Sequence, residues 1–342
     1  MATIYQLDRA RLVAWLQDRG QPPYRASQIL EGVYRHLVKS FDEIPVLPKA
    51  LRQQLAEGFE VGPFPIDSES EGRNSVKLLV HLEDDEAVEC VAMETRWGRT
   101  ACVSTQVGCS VGCAFCASAE GGRRRHLRAD EIVRQAVTLA ILRGKLTNVV
   151  FMGMGEPLMN YDEALTAVLA LVDGDRLAIP PRHLTVGTSG VVPMIPRLAQ
   201  EAPKGVELAV SLNAADDELR KRLMPGVSRW TIAELLAACD EWTRLRGGQP
   251  VTYAYVLIEG VNDRRIDANM LAKLLSRRRH LLNLIRMNPV EGSELHASSR
   301  DAAEGFAAKL KDLGLNVTIR RSLGGDVQAA CGQLRLQSKS AC

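Results

Sequence analysis

Apolar residues recur at three- and four-residue intervals through the first sixty positions. Residues 8–19 and 25–38 therefore read as two short amphipathic helices, parted by Gly20, Pro22 and Pro23. Residues 47–59 read as a third helix, entered at Pro48. Pro63 and Pro65 remove backbone donors and break helices, which sets a boundary near residue 62 and predicts a small helical N-terminal domain over residues 1–62. Beyond it the period falls to two. Segments 75–82 and 87–93, joined by the acidic turn 83–86, read as a β-hairpin within a linking region, 63–100. From residue 101 strand-like and helix-like stretches alternate. Strands are expected at 101–107, 148–152, 184–187, 207–212, 252–258 and 281–287. Helical periods follow them at 130–142, 162–171, 192–200, 218–223 with 232–244, 266–277 and 300–313. Six strand–helix units predict an α/β fold, an open parallel (βα)6 barrel over residues 101–334, with a last strand at 316–321 and a tail at 335–342.

At 342 residues, 46% hydrophobic and 25% charged, the chain can bury a full core and fits one large domain plus a small one. No apolar run approaches the ~18 residues that span a membrane. The first residues offer neither a basic region nor an apolar core, so no signal peptide is expected. Eight cysteines without a disulfide-like distribution point to a reducing cytoplasm. The net charge is only +2 but uneven: residues 1–100 hold 12 basic and 16 acidic side chains, and the remainder hold 31 and 25. The asymmetry permits a nucleic-acid partner without demanding one.

Candidate chemistry concentrates just past the first expected barrel strand, where Cys109, Cys113 and Cys116 stand at C-x3-C-x2-C spacing. A structural zinc site closes four protein ligands, commonly as two C-x2-C hooks, and no second hook follows here. A 4Fe–4S cluster takes one thiolate per iron, so three thiols leave one iron open to a small molecule. Gly112 and Ala114 allow the backbone to wrap closely around such a group. The spacing resembles that of the radical S-adenosylmethionine (SAM) enzymes. The resemblance implies a radical SAM barrel, a cluster whose open iron is chelated by SAM, and reductive cleavage of SAM to a 5′-deoxyadenosyl radical.

Three further segments narrow the likeness. Gly153, Gly155, Glu156 and Pro157 form a G-M-G-E-P turn after the second strand, Cys102 lies upstream of the cluster motif, and Cys331 sits in A-A-C-G-Q-L near the C-terminus. Together with the three clustered thiols they resemble the RlmN/Cfr family, radical SAM adenosine methyltransferases of RNA, over about Tyr5 to Leu334. Adenine C2 lies between two ring nitrogens and is too electron-poor to take a methyl group from SAM as an amine would. The resemblance implies that Cys331 first takes a methyl from one SAM by displacement. A second SAM, cleaved at the cluster, then yields the radical that removes hydrogen from that methyl group. The carbon adds to adenine, and Cys102 as thiolate attacks the Cys331 sulfur, forming a Cys102–Cys331 disulfide and freeing the methylated base. The resemblance also assigns Glu89 as general base; the residues alone read it equally as a strand glutamate on a solvated face.

By the same resemblance Gly155, Glu156, Gly187, Ser211, Leu212, Asn213 and Asn288 contact SAM. Two of these depart from the family pattern: Gly187 stands where relatives usually have serine, and Asn213 ends a Ser-Leu-Asn in place of Ser-Leu-His. Asn keeps a donor and an acceptor, whereas Gly187 offers only backbone. Cys239 and Cys90 read as core and strand residues, and Cys342 as a tail residue. Arg123 to Arg125, Arg277 to Arg279, and Arg320 with Arg321 are candidate phosphate contacts or, equally, solvated charge.

The leading expectation is thus C2 methylation of adenosine in 23S rRNA, with tRNA as a further substrate. It carries a 4Fe–4S cluster, two SAM per turnover, a flavodoxin- or ferredoxin-type electron donor and a monomeric, cytoplasmic, membrane-free enzyme. The alternatives are C8 methylation of 23S rRNA, a divergent paralogue with another substrate, and a non-catalytic Fe–S RNA-binding protein that would need neither Cys331 nor SAM cleavage.

Overall fold

The computed structural model describes residues 2–96, 98–320, 328 and 330–334. Asp8 caps the first helix, α1 (Arg9–Gln17), by accepting from the Arg11 amide at 2.8 Å, which satisfies a donor the helix start leaves open. Helix α2 (Arg25–Tyr34) stops short of the expected residue 38, because the backbone turns left-handed at Leu37 (φ 54°). Helix α3 (Lys49–Gly58) follows Pro48, where a missing amide donor does no harm. Leu12, Leu16, Ile29, Leu30, Leu51 and Leu55 lose all or nearly all their exposure in the core these helices share. A short parallel pairing of β1 (Ala2–Thr3) with β2 (Phe59–Glu60) joins the two ends of the unit.

The rest of the chain is built on one ten-stranded sheet. Its antiparallel part runs β3 (Ile66–Glu71), β4 (Ser75–His81), β5 (Ala87–Thr95) and β6 (Gly98–Cys102). The expected hairpin is therefore the middle of a meander fused to the barrel sheet. Strand β3 escapes a periodicity reading because its residues, I-D-S-E-S-E, carry one apolar side chain and lie mostly in solvent. It is an edge strand, and its charges guard the unpaired backbone. The first barrel strand is expected at 101–107 but ends at Cys102. Past it the Thr105 and Gln106 amides both turn to the Met154 carbonyl, and β7 (Gln106–Gly108) pairs with β8 (Arg123–His126) in a separate ribbon.

Helix α4 (Ala129–Arg143) then leads to β9 (Asn148–Phe151), which lies parallel to β6 with Cys102 opposite Val150. The alternation continues through α5 (Tyr161–Val172), β10 (Leu184–Thr188), α6 (Met194–Glu201), β11 (Glu207–Ser211), α7 (Asp217–Leu223), α8 (Ile232–Leu245) and β12 (Val251–Leu257). It closes with α9 (Arg265–Leu275), β13 (His280–Arg286), α10 (Arg300–Asp312) and β14 (Val317–Arg320). All pairings from β6 to β14 are parallel, and β14 and β3 form the two free edges, so the barrel is open. Six strand–helix units and a closing strand match the alternation of the sequence. Val149, Val186, Leu208, Val210, Tyr253 and Leu284 are buried, and the residues that alternate with them, among them Gly187, Ala209, Ser211, Ala254 and Asn283, line the cavity. Arg321, Gly324, Gly325, Ala329 and the 335–342 tail with Cys342 lie outside the described residues.

One arginine binds the helical unit to the barrel. Arg134 of α4 donates to the carbonyls of Gly62 (3.2 Å) and Pro63 (3.1 Å) and to Glu60 (3.1 Å), with its guanidinium 4.6 Å over the Phe64 ring. The charged donor thus helps satisfy carbonyls that the helix break around Pro63 leaves without ladder partners, the Gly62 carbonyl also accepting from the Tyr5 hydroxyl (3.1 Å). Arg134→Met should lower the stability of the chain by about 2–3 kcal/mol, since buried carbonyls lose a charged donor; an unchanged urea midpoint would show that this clamp carries no such weight.

Candidate functional site

The C-terminal ends of the parallel strands surround one open cavity. The loop after β7 contributes Cys109, Cys113 and Cys116; the turn after β9 contributes Gly153, Gly155 and Glu156. Gly187, Ser211 and Asn213 come from the ends of β10 and β11, Asn288 follows β13, and Cys331 approaches from the C-terminal segment. A smaller recess opens beside it, where Cys102 at the end of β6 meets Cys116, Met152, Arg320 and Cys331. Two of the thirteen anticipated residues, Leu212 and Glu89, line neither the cavity nor the recess. Leu212 is fully buried, its amide bonded to the Ala254 carbonyl (2.9 Å), so it supports the wall from behind. Glu89 lies on β5, fully buried, with Lys77 Nζ 2.9 Å from its Oε1.

Gly155 adopts φ 99°, and a Cβ there would come within 2.6–2.8 Å of Gln106. The glycine lets β7 and the turn after β9 lie against each other, which is how the cluster loop reaches the cavity. At Gly187 a Cβ would sit 2.9 Å from Met152 Cγ and 3.0 Å from the Phe151 carbonyl oxygen. The small residue leaves that space to Met152, which lines both the cavity and the recess. Asn213 has φ 57°, a left-handed conformation in which Asn is enriched among non-glycine residues. Its Oδ1 accepts from the Val256 amide (2.9 Å), which ties the end of β11 to β12.

Glu156 is buried, and its carboxylate is engaged by the protein itself. Oε1 accepts from Thr188 Oγ1 (2.7 Å) and the Leu158 amide (2.9 Å), and Oε2 accepts from both the amide and the hydroxyl of Ser189 (2.5 Å each). Burial raises its pKa and these donors oppose the rise. Arg220, 2% exposed, donates to the Ser189 carbonyl from behind; burial lowers its pKa, and the charges of Cys113 and Asp217 act against that. Thr188, Ser189 and Arg220 are thus part of the wall. The sequence flagged only the neighbourhood of the first two, and a buried arginine on an amphipathic helix carries no signal of its own.

The three clustered thiols differ from ordinary surface cysteines. Burial pushes Cys109 up to about 12 and Cys113 well above the usual thiol value, each helped by the charge of the neighbouring thiols. Burial also raises Cys116, while hydrogen bonds from the Ser118 backbone and side chain oppose it. Such a donor set ionises only beside a strong cation. The thiols line one cavity wall, yet among the described residues no three acidic, His or Cys side chains converge on a single-ion site. A cluster that takes one thiolate per iron fits this layout.

Cys102 is buried; desolvation and then the charge of Cys331 push it up to about 12, against Arg320 and a hydrogen bond with the Met152 backbone. Cys331 is exposed, and its segment is bound to the rim: Ala117 donates to the Gly332 carbonyl (2.7 Å), Asn288 Nδ2 to the Cys331 carbonyl (3.0 Å) and Gln333 Nε2 to the Pro289 carbonyl (3.0 Å). Cys239 and Cys90 are buried in α8 and β5, as core residues. Three arginines of the basic runs are ion-paired within the protein. Arg124 pairs with Glu86 (2.8 Å), Arg125 with Asp84 and Glu131, and Arg278 with Asp240 (3.1 Å).

Comparison with known proteins agrees with this geometry. Residues 103–271 match the radical SAM superfamily, and residues 3–61 match the ribosomal RNA large subunit methyltransferase N-terminal domain. The chain is 44% identical over 326 residues to "Probable dual-specificity RNA methyltransferase RlmN" of Symbiobacterium thermophilum, covering 94% of this chain and 87% of that one. It is 42% identical over 331 residues to the protein of the same description from Moorella thermoacetica, covering 94% and 93%. The crystal structure of a radical SAM methyltransferase from Sphaerobacter thermophilus superposes with TM-score 0.94 at 41% identity, covering 98% and 99%. An open barrel with three thiols at its mouth defines a radical SAM enzyme. The chain belongs to the RlmN family of radical SAM RNA methyltransferases, and that family implies a 4Fe–4S cluster and SAM.

Gly155→Ala forces a Cβ into Gln106 at a backbone angle that side chains avoid. It should destabilise the chain by about 2–3 kcal/mol and lower iron retention after reconstitution, since strain and overpacking add at this point. Iron content per chain equal to the parent's, with an unchanged melting temperature, would contradict it.

Proposed function

We propose that the enzyme methylates C2 of adenosine in 23S rRNA, and in tRNA as a second substrate, through an S-methylated Cys331 and a Cys102–Cys331 disulfide. What carries this reading is that Cys102 and Cys331 line one recess together with Cys116, although they are far apart in the chain. A non-catalytic Fe–S protein has no use for that meeting. The cluster and bound SAM supply a carbon-centred radical when present. Cys109, Cys113 and Cys116 would hold the cluster through their thiolates.

The residues of the chain do the rest. Cys331, exposed at the rim, takes a methyl group from a first SAM; a second SAM is consumed in activating that carbon. The buried recess then shields the reactive carbon from water and presents it to the adenine ring. Addition to the ring leaves a radical adduct that must give up one electron and one proton to restore the aromatic ring; the electron would go to the cluster, when present, and Glu89 takes the proton. Cys102 closes the cycle: its thiolate attacks the Cys331 sulfur, an S–S bond forms, and the C–S bond breaks with its electron pair left on the methylene carbon. That carbon takes up a proton to become the methyl group of the freed base. Arg320, which opposes the rise in the Cys102 pKa, favours the thiolate this step needs. Gly155, Glu156, Gly187, Ser211, Asn213 and Asn288 form the SAM wall; Glu156 acts there by fixing backbone, since its oxygens already accept four hydrogen bonds. An adenosine reaches this depth only by leaving its stack, at about a few kcal/mol. The enzyme works as a cytoplasmic monomer reduced by a flavodoxin- or ferredoxin-type protein. Among the described residues no helix is long and apolar enough to cross a membrane.

The test is anaerobic turnover of reconstituted protein with SAM, reductant and deproteinised ribosomal RNA, followed by nucleoside mass spectrometry. 2-Methyladenosine is the expected product; 8-methyladenosine would move the reaction to C8. Cys331→Ala should abolish product while SAM cleavage continues. Cys102→Ala should leave a covalent protein–RNA adduct on a denaturing gel. Product formation by Cys331→Ala would refute the cysteine mechanism.

A further inference from the structure

Lys77 stands where two parts of this site meet. In the antiparallel meander Lys77 lies opposite Val91, Leu79 opposite Glu89, and Val91 opposite Cys102. Side chains alternate along a strand, so Lys77, Glu89 and Cys102 project from the same face of the sheet. Lys77 Nζ is 2.9 Å from Glu89 Oε1, with the two side chains 11% and 0% exposed. The same ammonium donates to the carbonyl of Gln328 at 3.3 Å, three positions ahead of Cys331. Gln328 has φ 50°, a conformation that costs energy in any residue with a Cβ and persists only where contacts hold it.

A buried carboxylate without a counter-charge is unfavourable, and losing its partner is strongly destabilising. A lysine suits this place: it is a compact charge with three donors, able to serve a carboxylate and a carbonyl together. We propose that Lys77 is a positioning residue, whose ammonium pairs with the Glu89 carboxylate and, through the Gln328 carbonyl, sets the Cys331 segment in register with it. One side chain, itself outside the cavity lining, then links the base to the Cys331 segment. The inference rests on the reading of Glu89 as the base.

Full-length reconstituted Lys77→Met, Lys77→Gln and Lys77→Arg, beside Glu89→Gln, provide the test. Three quantities are read for each: iron per chain, the S-methyl group on Cys331 by peptide mass, and the rate of methyladenosine formation. The first two do not depend on proton removal. Lys77→Met and Lys77→Gln are expected to retain both, yet form methyladenosine at least ~30-fold more slowly, within the ~10²–10⁴-fold that a general base contributes. Lys77→Arg, which restores the charge, is expected to recover most of the rate. Lys77→Gln still donates to the Gln328 carbonyl, so its loss of rate isolates the charge, and it stands in should Lys77→Met not fold. Parent-like rates in Lys77→Met and Lys77→Gln would overturn the inference. So would iron and Cys331 methylation falling in parallel with the rate, or no recovery in Lys77→Arg. Glu89→Gln at full rate would refute the base itself, whereas an inactive Glu89→Gln beside an active Lys77→Met would remove the role of Lys77 alone.

Discussion

A carboxylate cannot be withdrawn from water unless its oxygens find donors, and the cavity is arranged around one that does. Glu156 gathers hydrogen bonds from Leu158 in its own turn and from Thr188 and Ser189 at the end of β10, while its amide donates to Gln106 Oε1 on β7 at 2.9 Å. Adjacent strand ends and the ribbon that carries the cluster loop are thereby fixed to one another. Unpairing a buried charge of this kind costs several kcal/mol, so the strand ends cannot drift apart independently. The stiffness of the site is electrostatic as much as hydrophobic.

The opposite side of the cavity is built differently. The segment around Cys331 is held by single backbone and amide contacts to the 117–118 loop, to Asn288 and Pro289, and to Lys77. Each neutral bond is worth about 0.5–1.5 kcal/mol net, and the bond from the Lys77 ammonium about 1.5–3 kcal/mol.

Most of the fold was legible because it is written in local periods. Each barrel strand buries an apolar face against the helices and each helix carries a buried stripe, so their order followed from spacing alone. The exceptions share a cause, which is that tertiary context outweighed pattern. Strand β3 is polar and exists because β4 offers it an edge. The run from Ala101 to Val107 reads as one strand, yet it divides after Cys102 because the turn after β9 captures the amides of Thr105 and Gln106. Helix α2 ends at a left-handed Leu37 that no residue preference announces.

The sequence by itself determined the alternation of strands and helices, the helical N-terminal unit and the spacing of Cys109, Cys113 and Cys116, since each depends on residues close together in the chain. Family likeness named Cys102, Cys331 and Glu89, but not their surroundings. Only the tertiary structure decided that Cys102 opens into the recess beside Cys331, that Glu156 spends its oxygens on Thr188 and Ser189, that Leu212 backs the wall, and that Lys77 joins Glu89 to the C-terminal segment. These are contacts between residues tens to hundreds of positions apart. Strand register and the cost of burying charge select them, and neither quantity can be read from a local pattern.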